Sequence, residues 1–299
     1  MRVALISNGA KVRGTLAARI EGSVAAAAPG ATTRRTSRPG ETISLVREAL
    51  TAGATRIIVA GGDGTVHEAA NVLSGTEAEL AVIPAGSGND YARSLGVPPD
   101  IDSSVDFAIR GPALPTDTGE IVCVSDTGRE MRRVFVNIAE AGFGAEVVRK
   151  AGFLLRFAPP WLGYQLAIFT ALVTLRLRRV NISADDETPR AVASSNLIVG
   201  LGQYFGSGLR PLPDAVLDDG LFDIAHIRDC SRLEIARHAP VLKNGIPRDH
   251  PKIDQRLCRQ LLAESAELVP VEADGEWLGY LPASFAVLPK SLQVVRRTG

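Results

Sequence analysis

The 299 residues predict an α/β N-terminal domain with a parallel sheet, followed by a second domain that is a mostly antiparallel β-sandwich. A rhythm of strand, loop and helix repeats through residues 2–98, and such alternation lays parallel strands between two layers of helices. After about Thr116 the rhythm gives way to short apolar runs separated by Gly, Asp and Pro, the pattern of antiparallel strands. Glycine-rich loops follow the apolar runs of the first part. They would gather at the C-terminal edge of the strands, where open α/β sheets bind ligands.

Met1 to Ile6 carries one charge and an apolar stretch before Ser7-Asn8-Gly9, which reads as a strand and not as a signal peptide. That strand is placed at Arg2 to Ser7, with a loop from Asn8 to Gly14 and an alanine-rich helix running toward Pro29-Gly30. Ala31 to Ser37 reads as a second strand, and Ile43, Val46 and Leu50 give Glu41 to Thr51 helical spacing. Arg56 to Ala60 is a third, buried strand, after which glycines let the chain turn tightly into a helix. Leu80 to Ile83 is the fourth, followed by a loop from Pro84 to Gly88 and a short helix from Asp90 to Leu95, closed by Gly96 and Pro98.

In the second part, Glu120 to Val124, Arg133 to Ala139, Val180 to Ala184, Ala191 to Gly200 and Phe222 to Ile227 read as strands around a helical region at 143–176. Ser284 to Leu288 and Leu292 to Arg296 alternate apolar and polar residues as the last strands. The expected domains are 1–117, with 289–299 returning to it, and 118–288. The apolar run Trp161 to Leu175 has 15 residues, short of the roughly 20 that a spanning helix needs. It is expected to be a core helix. With Phe153, Leu154, Leu155 and Phe157 before it and Arg176, Arg178 and Arg179 after it, it could also line an acyl-chain groove or touch a membrane surface.

Basic and acidic side chains balance at 33 each, so no global field is available to hold nucleic acid. Cys123, Cys230 and Cys258 are an odd number without CxxC spacing, which predicts reduced thiols in a cytoplasmic protein, with neither disulfides nor zinc.

The stretch Gly61-Gly62-Asp63-Gly64-Thr65-Val66-His67-Glu68 carries the strongest chemical signal. Thr65 and Glu68 have capping-box spacing, and free N–H groups beside a glycine loop at a helix N-terminus favour phosphate. Asp63 would be repelled by phosphate oxygens unless a divalent cation lies between, so it is read as a partner of Mg²⁺ carried by a nucleotide. No Gly-x4-Gly-Lys-Ser/Thr run occurs, and the dinucleotide pattern would require glycine at His67.

This GGDGT with Glu68 resembles the nucleotide loop of the diacylglycerol kinase catalytic domain. NAD kinases and, more distantly, phosphofructokinases carry the same GGDGT. Pro84 to Arg93, with Ser87 and Tyr91 as substitutions, resembles the Gly-Thr-x-Asn-Asp-Phe-Ala segment of diacylglycerol kinases and bacterial lipid kinases. Phe135 to Ala139 with Gly142 to Ala145, Asn196 to Gly206, Pro213 to Ala215, Asp218 to Asp223, and Asp274-Gly275-Glu276 resemble that family's later motifs, in order. NAD kinases share the first loop but not the series, so over nearly its whole length the chain resembles soluble bacterial lipid kinases.

The resemblance implies a first domain with an NAD kinase/phosphofructokinase-like nucleotide site. ATP would be bound by Asn8, Thr36, Gly61, Gly62, Asp63, Gly64, Thr65, Val66, His67, Glu68, Gly86, Ser87 and Asn89. It implies Glu276 as the general base toward a lipid's primary hydroxyl and Asp63 as its partner in catalysis. It also implies a structural Mg²⁺ held by Asp219 with the backbone oxygens of Val216 and Leu221. The expected activity is ATP-dependent phosphorylation of a lipid such as diacylglycerol, taken from a membrane surface by a cytoplasmic, peripherally bound enzyme, with a homodimer left open. A kinase of a soluble alcohol such as NAD, and a lipid-binding or regulatory protein without turnover, are the two rival expectations.

Overall fold

Strand β1 (Val3–Ser7) is wholly buried because its apolar side chains face helices on both sides. Helix α1 (Gly14–Ala27), strand β2 (Thr32–Arg35) and helix α2 (Glu41–Thr51) follow, then β3 (Arg56–Gly61), α3 (Asp63–Leu73), β4 (Glu79–Pro84), α4 (Asp90–Ser94) and α5 (Ile101–Arg110). The computed structural model describes residues 1–238, 242–247 and 249–298. It divides into two units: Met1–Thr118, Leu217–Asp219 and the segment from Leu288 onward form the first, and Gly119–Val216 with Gly220–Val287 the second. Residues 217–219 thus group with the first unit and not with the second.

In the first unit, Gln293 and Val294 add a parallel strand beside β4, giving the order C-terminal segment, β4, β3, β1, β2, with every pairing parallel. Strand β2 is an exposed edge and shorter than expected. Helix α5 is an addition to the expected elements. Asp100 caps it by accepting the Ser103 N–H at 2.9 Å, and Val105, Ala108 and Ile109 are buried on it. Its C-terminal carbonyls are met by the buried Arg56, which donates to Ala108, Ile109 and Gly111 and pairs with Glu79 at 2.5 Å. A cation at a helix C-terminus is favoured by the dipole. It sits at the N-terminal end of β3, leaving the glycine end for a ligand.

The second unit contains strands β5 (Ala113–Val124), β6 (Glu130–Phe135) and β7 (Ile138–Gly142), helices α6 (Phe143–Leu154) and α7 (Pro160–Val173), and strands β8 (Arg178–Ala184), β9 (Arg190–Ser194), β10 (Asn196–Gly200) and β11 (Phe222–Ile227). Helix α8 (Arg232–His238) and strands β12 (Ile253–Cys258), β13 (Gln260–Glu264), β14 (Pro270–Ala273) and β15 (Glu276–Val295) complete it, with the unit boundaries falling inside β5 and β15. One antiparallel run is β12, β11, β10, β7, β14, β15, and a second is β15, β13, β8, β9. Their inner faces enclose Ile121, Phe135, Val199, Phe222, Leu261, Val271 and Phe285, with Phe135 and Phe222 stacked at 5.6 Å.

Several expected strands are redrawn. The run Arg133 to Ala139 breaks because Asp274 takes the N–H groups of Val136, Asn137 and Ile138, which a ladder would otherwise use. The run Ala191 to Gly200 breaks at Ser195, whose N–H turns to Ile227 and whose carbonyl accepts from Phe143. The two final strands are one, β15, while β12, β13, β14 and α8 are additions. Helix α7 is not a core helix. It buries Gly163, Ala167 and Ala171, spaced four residues apart, and leaves Tyr164, Ile168, Phe169 and Val173 exposed, Phe169 at 63%. Small residues on one helix stripe let backbones approach, and Ala167 and Ala171 pack with Val147 and Ala151 of α6. Among the described residues no helix is long and apolar enough to cross a membrane. All three cysteines are buried free thiols.

Candidate active site

The first unit brings three loops together at the C-terminal ends of β1, β3 and β4. Two of them touch through glycine: a Cβ on Gly62 would stand 3.0 Å from the Gly86 Cα, and one on Gly86 would run into the Gly62 backbone. Gly61 is likewise committed, because a Cβ there would lie 2.5 Å from the Thr65 hydroxyl. Asn8 donates its amide N–H to that hydroxyl at 3.0 Å and accepts from the N–H groups of Ala10 and Lys11. Thr36 accepts from the Gly9 N–H at 3.1 Å. These bonds tie β1, β2 and α3 together, so Asn8, Thr36 and Thr65 act as the frame of the loop.

Helix α3 begins at Asp63, two residues before the expected cap. Its cap residue is Gly62, whose carbonyl takes the amides of Thr65 and Val66 at 2.9 and 3.2 Å. Thr65 and Glu68 therefore do not form a capping box. Glu68 instead accepts from the Gly40 and Thr42 amides at 3.0 and 3.2 Å, serving the N-terminus of α2 with both oxygens. Val66 and His67 are buried, and His67 Nε2 lies 3.3 Å from the Asn71 amide nitrogen. Their side chains face the protein. The exposed part of this turn is Gly64, and a Cβ on it would meet nothing within 4 Å.

Asp63 is half-buried at the same corner and accepts the Tyr91 N–H of α4 at 3.1 Å. Asn89 is clamped onto its own turn, accepting from the Gly86 N–H at 2.8 Å and donating to the Gly86 carbonyl at 3.0 Å. Ser87, at the tip of that turn, is exposed. The surface thus assembled consists of backbone amides, the Ser87 hydroxyl and one carboxylate. Amides at a helix N-terminus suit phosphate oxygens, and a hard carboxylate oxygen beside them suits Mg²⁺.

In the second unit, β14 and β15 form a hairpin whose two-residue turn is Asp274-Gly275, both with positive φ, at 50° and 83°. An Asp-Gly pair at positive φ is the favoured type I′ connection. The Asp274 carboxylate accepts the amides of Val136, Asn137 and Ile138 at 2.9, 3.0 and 3.2 Å, locking the turn to the start of β7. Glu276 is half-buried as the first residue of β15, paired with Ala273. Of the expected metal ligands, Val216 and Asp219 are exposed and Leu221 is half-buried, on either side of the positive-φ Gly220. Asp218, next to them, is spent on an ion pair with Arg296. One carboxylate with backbone carbonyls is a hard-oxygen set, which fits Mg²⁺ in kind.

Two further carboxyl groups lie outside every motif of the sequence. Glu140 and Glu272 are both buried, on neighbouring strands β7 and β14. Burial pushes Glu140 up to about 7, against the pull of its Asn196 hydrogen bond. It pushes Glu272 well above the usual carboxylate range, with the Glu140 charge adding to the effect. The only sequence signal was Gly144. A Cβ there would collide with the Glu140 carboxyl, so glycine at the second residue of α6 leaves that carboxyl its room.

A family model described as the diacylglycerol kinase catalytic domain matches residues 2–121. A second, described as the YegS C-terminal NAD kinase beta sandwich-like domain, matches residues 137–296. A diacylglycerol kinase of Mycobacterium tuberculosis is 32% identical over an alignment covering 84% of this chain and 80% of its own length. One from Bacillus subtilis is 30% identical, covering 88% and 84%. The crystal structure of a diacylglycerol kinase from Bacillus anthracis superposes with a TM-score of 0.74 at 22% identity, covering 99% of this chain and 97% of its own, a likeness of fold. The architecture is that of a parallel α/β region and a β-sandwich-like domain of NAD kinase type.

Proposed function

The chain belongs to the diacylglycerol kinase family of lipid kinases, and from that premise we propose that it transfers the γ-phosphate of ATP to the primary hydroxyl of a membrane lipid, with diacylglycerol as the first acceptor to test. The observation that carries the reading is the exposed turn at Gly64. It is the one glycine of the GGDGT loop that neither packing nor backbone conformation calls for, and its bare backbone lets a ligand come close to the first-turn amides.

In this reading the amides around Gly64 and the Ser87 hydroxyl receive phosphate oxygens, while Asn8, Thr36, Thr65 and Asn89 hold those donors in place. Mg²⁺, when bound with the nucleotide, neutralises phosphate charge, and Asp63 is the carboxylate placed to hold it. Glu276 orients the lipid hydroxyl and takes its proton as the bond from that oxygen to the γ-phosphorus forms and the bond to ADP breaks. Phosphoryl transfer has a loose transition state, so orientation contributes more than prior deprotonation. A second Mg²⁺ at Asp219, with the Val216 and Leu221 carbonyls, would be structural. A rise in melting temperature with Mg²⁺ that is lost in Asp219→Asn would support it without any appeal to activity.

The acceptor must be taken from a membrane, and the second unit offers suitable surface. Phe153, Phe157 and Phe169 of the α6–α7 region are exposed, with Arg156 and Arg176 nearby in the chain. A cavity of 340 Å³ in the same unit is lined by Phe143, Leu175 and Tyr280 together with Arg149, Arg176 and Arg178, the mixture that an amphiphile requires. We place the protein at the cytoplasmic membrane face as a peripheral enzyme. The deciding experiment is transfer of labelled γ-phosphate from ATP·Mg to a panel of lipid alcohols in mixed micelles, with NAD included and Glu276→Gln as control. A labelled lipid that is lost with the variant is expected. Labelled NAD alone would establish a soluble-alcohol kinase instead, and lipid binding without transfer would establish a non-catalytic protein.

A further inference from the structure

Glu140 and Glu272 have no part in the reaction just described, yet they lie directly behind the turn that carries Glu276. They are opposite one another in the antiparallel register of β7 and β14, each 3% exposed. Side chains in such a position are neighbours, and like charges there repel. Two carboxylates taken out of water side by side do not both ionise near neutrality. Among the described residues neither is paired with Lys or Arg.

Their hydrogen bonds lead in two directions. Glu140 Oε1 accepts from the side-chain Nδ2 of Asn196 at 2.6 Å, and Asn196 Oδ1 accepts the Gly144 N–H at 3.1 Å, anchoring the pair to the N-terminus of α6. Glu272 Oε2 accepts the Gly275 N–H at 2.7 Å, and Gly275 immediately precedes Glu276. The other charged or titratable groups on the elements packed against the pair are Asp274 and Glu276 of the hairpin, Tyr280 and, ten residues further along β15, Lys290, and Glu146, Arg149 and Lys150 of α6. Glu146 engages both cations of α6, at 2.8 and 3.3 Å.

We propose that Glu140 and Glu272 share a single proton and that Glu272, as a positioning residue, holds the Gly275 amide so that the turn presents Glu276. The claim rests on the reading of Glu276 as the group that receives the hydroxyl proton. One shared proton leaves one negative charge on the pair. A charged acceptor makes the stronger bond to an amide, and burial strengthens it further.

Glu272→Gln keeps both the size and an oxygen acceptor, so its kcat stays within about threefold of the parent, the effect of a modest change in one hydrogen bond. Glu272→Leu removes the acceptor and lowers kcat by about 10- to 100-fold, the loss of one hydrogen bond to a charged group. The KM for ATP is unchanged in both, because the ATP loops belong to the other unit. Equal losses in the two variants, or a KM that moves with kcat, would overturn the positioning role. A ¹³C titration of labelled Glu carboxyls in the wild-type protein between pH 5 and 9 tests the proton directly and survives misfolding of any variant. One proton retained by the pair at pH 7 is expected, and full ionisation of both groups below pH 6 would overturn the proposal. Transfer activity that persists in Glu276→Gln would refute the reading of Glu276 and leave the titration result standing.

Discussion

Gly64 shows how one residue can separate fold from function. It stands in the first turn of α3 with open space where a side chain would go, and its φ is not in the left-handed region. Glycine in a helix costs about 0.5–1 kcal/mol relative to alanine. Gly64→Ala is therefore expected to stabilise the first unit by that amount while weakening ATP binding by about tenfold or more, some 1.4 kcal/mol. Thermal melts with and without ATP·Mg read both effects at once. A variant that gains stability and keeps its affinity would show that the turn does not approach the phosphates. The neighbouring Glu68 marks the limit of reading at this scale. Its spacing from Thr65 was legible, but spacing along a chain does not reveal that the carboxylate reaches across to Gly40 and Thr42.

At the scale of elements, the hairpin of β14 and β15 is the most consequential piece. Asp274 serves as the fixed point, since three amides of the β6–β7 junction converge on its carboxylate. Asp274→Ala leaves those donors without an acceptor and is expected to cost about 3 kcal/mol or more, because each stranded buried donor carries a desolvation penalty. Urea unfolding of the variant measures it, and a loss below about 1 kcal/mol would show that water replaces the carboxylate.

The carboxyl pair behind the hairpin gives the second unit a pH dependence of known sign. Glu140 is pushed up to about 7 by burial, and Glu272 is raised as well. Both bind a proton more tightly folded than unfolded, where a glutamate titrates near about 4.3. The stabilising protonated form of Glu140 is complete below that value and is lost as pH rises through about 7, and Glu272, raised as well, acts in the same direction. Stability should fall by a few kcal/mol, at about 1.36 per pKa unit, between about pH 5 and 8. Glu272→Gln should flatten this fall, and equal slopes in parent and variant would refute it. An Asp-Gly pair is a local hairpin signal, so the turn follows from neighbouring residues alone. The breaks at Val136 and Ser195 do not, because each is imposed by a partner distant in the chain. Helix α7 departs from its expected burial for a related reason. Its apolar run predicts burial, but its small residues are the ones that find a neighbour.

At the scale of the molecule, the C-terminal return and the grouping of Leu217–Asp219 with the first unit share a tie at one residue. Arg296 is buried, pairs with Asp218, and donates to Thr116 Oγ1 at 3.0 Å and to the Pro115 carbonyl at 3.2 Å. Three segments remote in sequence thus meet on one guanidinium, which local patterning cannot foretell. The fork of an arginine reaches several acceptors at once where a point charge cannot. Arg296→Met is expected to cost the first unit about 2–4 kcal/mol, since it strands acceptors that the guanidinium now satisfies. Asp218→Asn should cost less than about 1 kcal/mol, because the Asp218 side chain is 42% exposed and water takes over part of its interaction. Arg296→Lys should fall between the two. Hydrogen exchange of the β3 and β4 amides reports on the first unit alone and would rank the three variants. If Arg296→Met protected those amides no less than Asp218→Asn does, the return of the chain would depend on the parallel pairing of Gln293 and Val294 with β4, and not on the arginine.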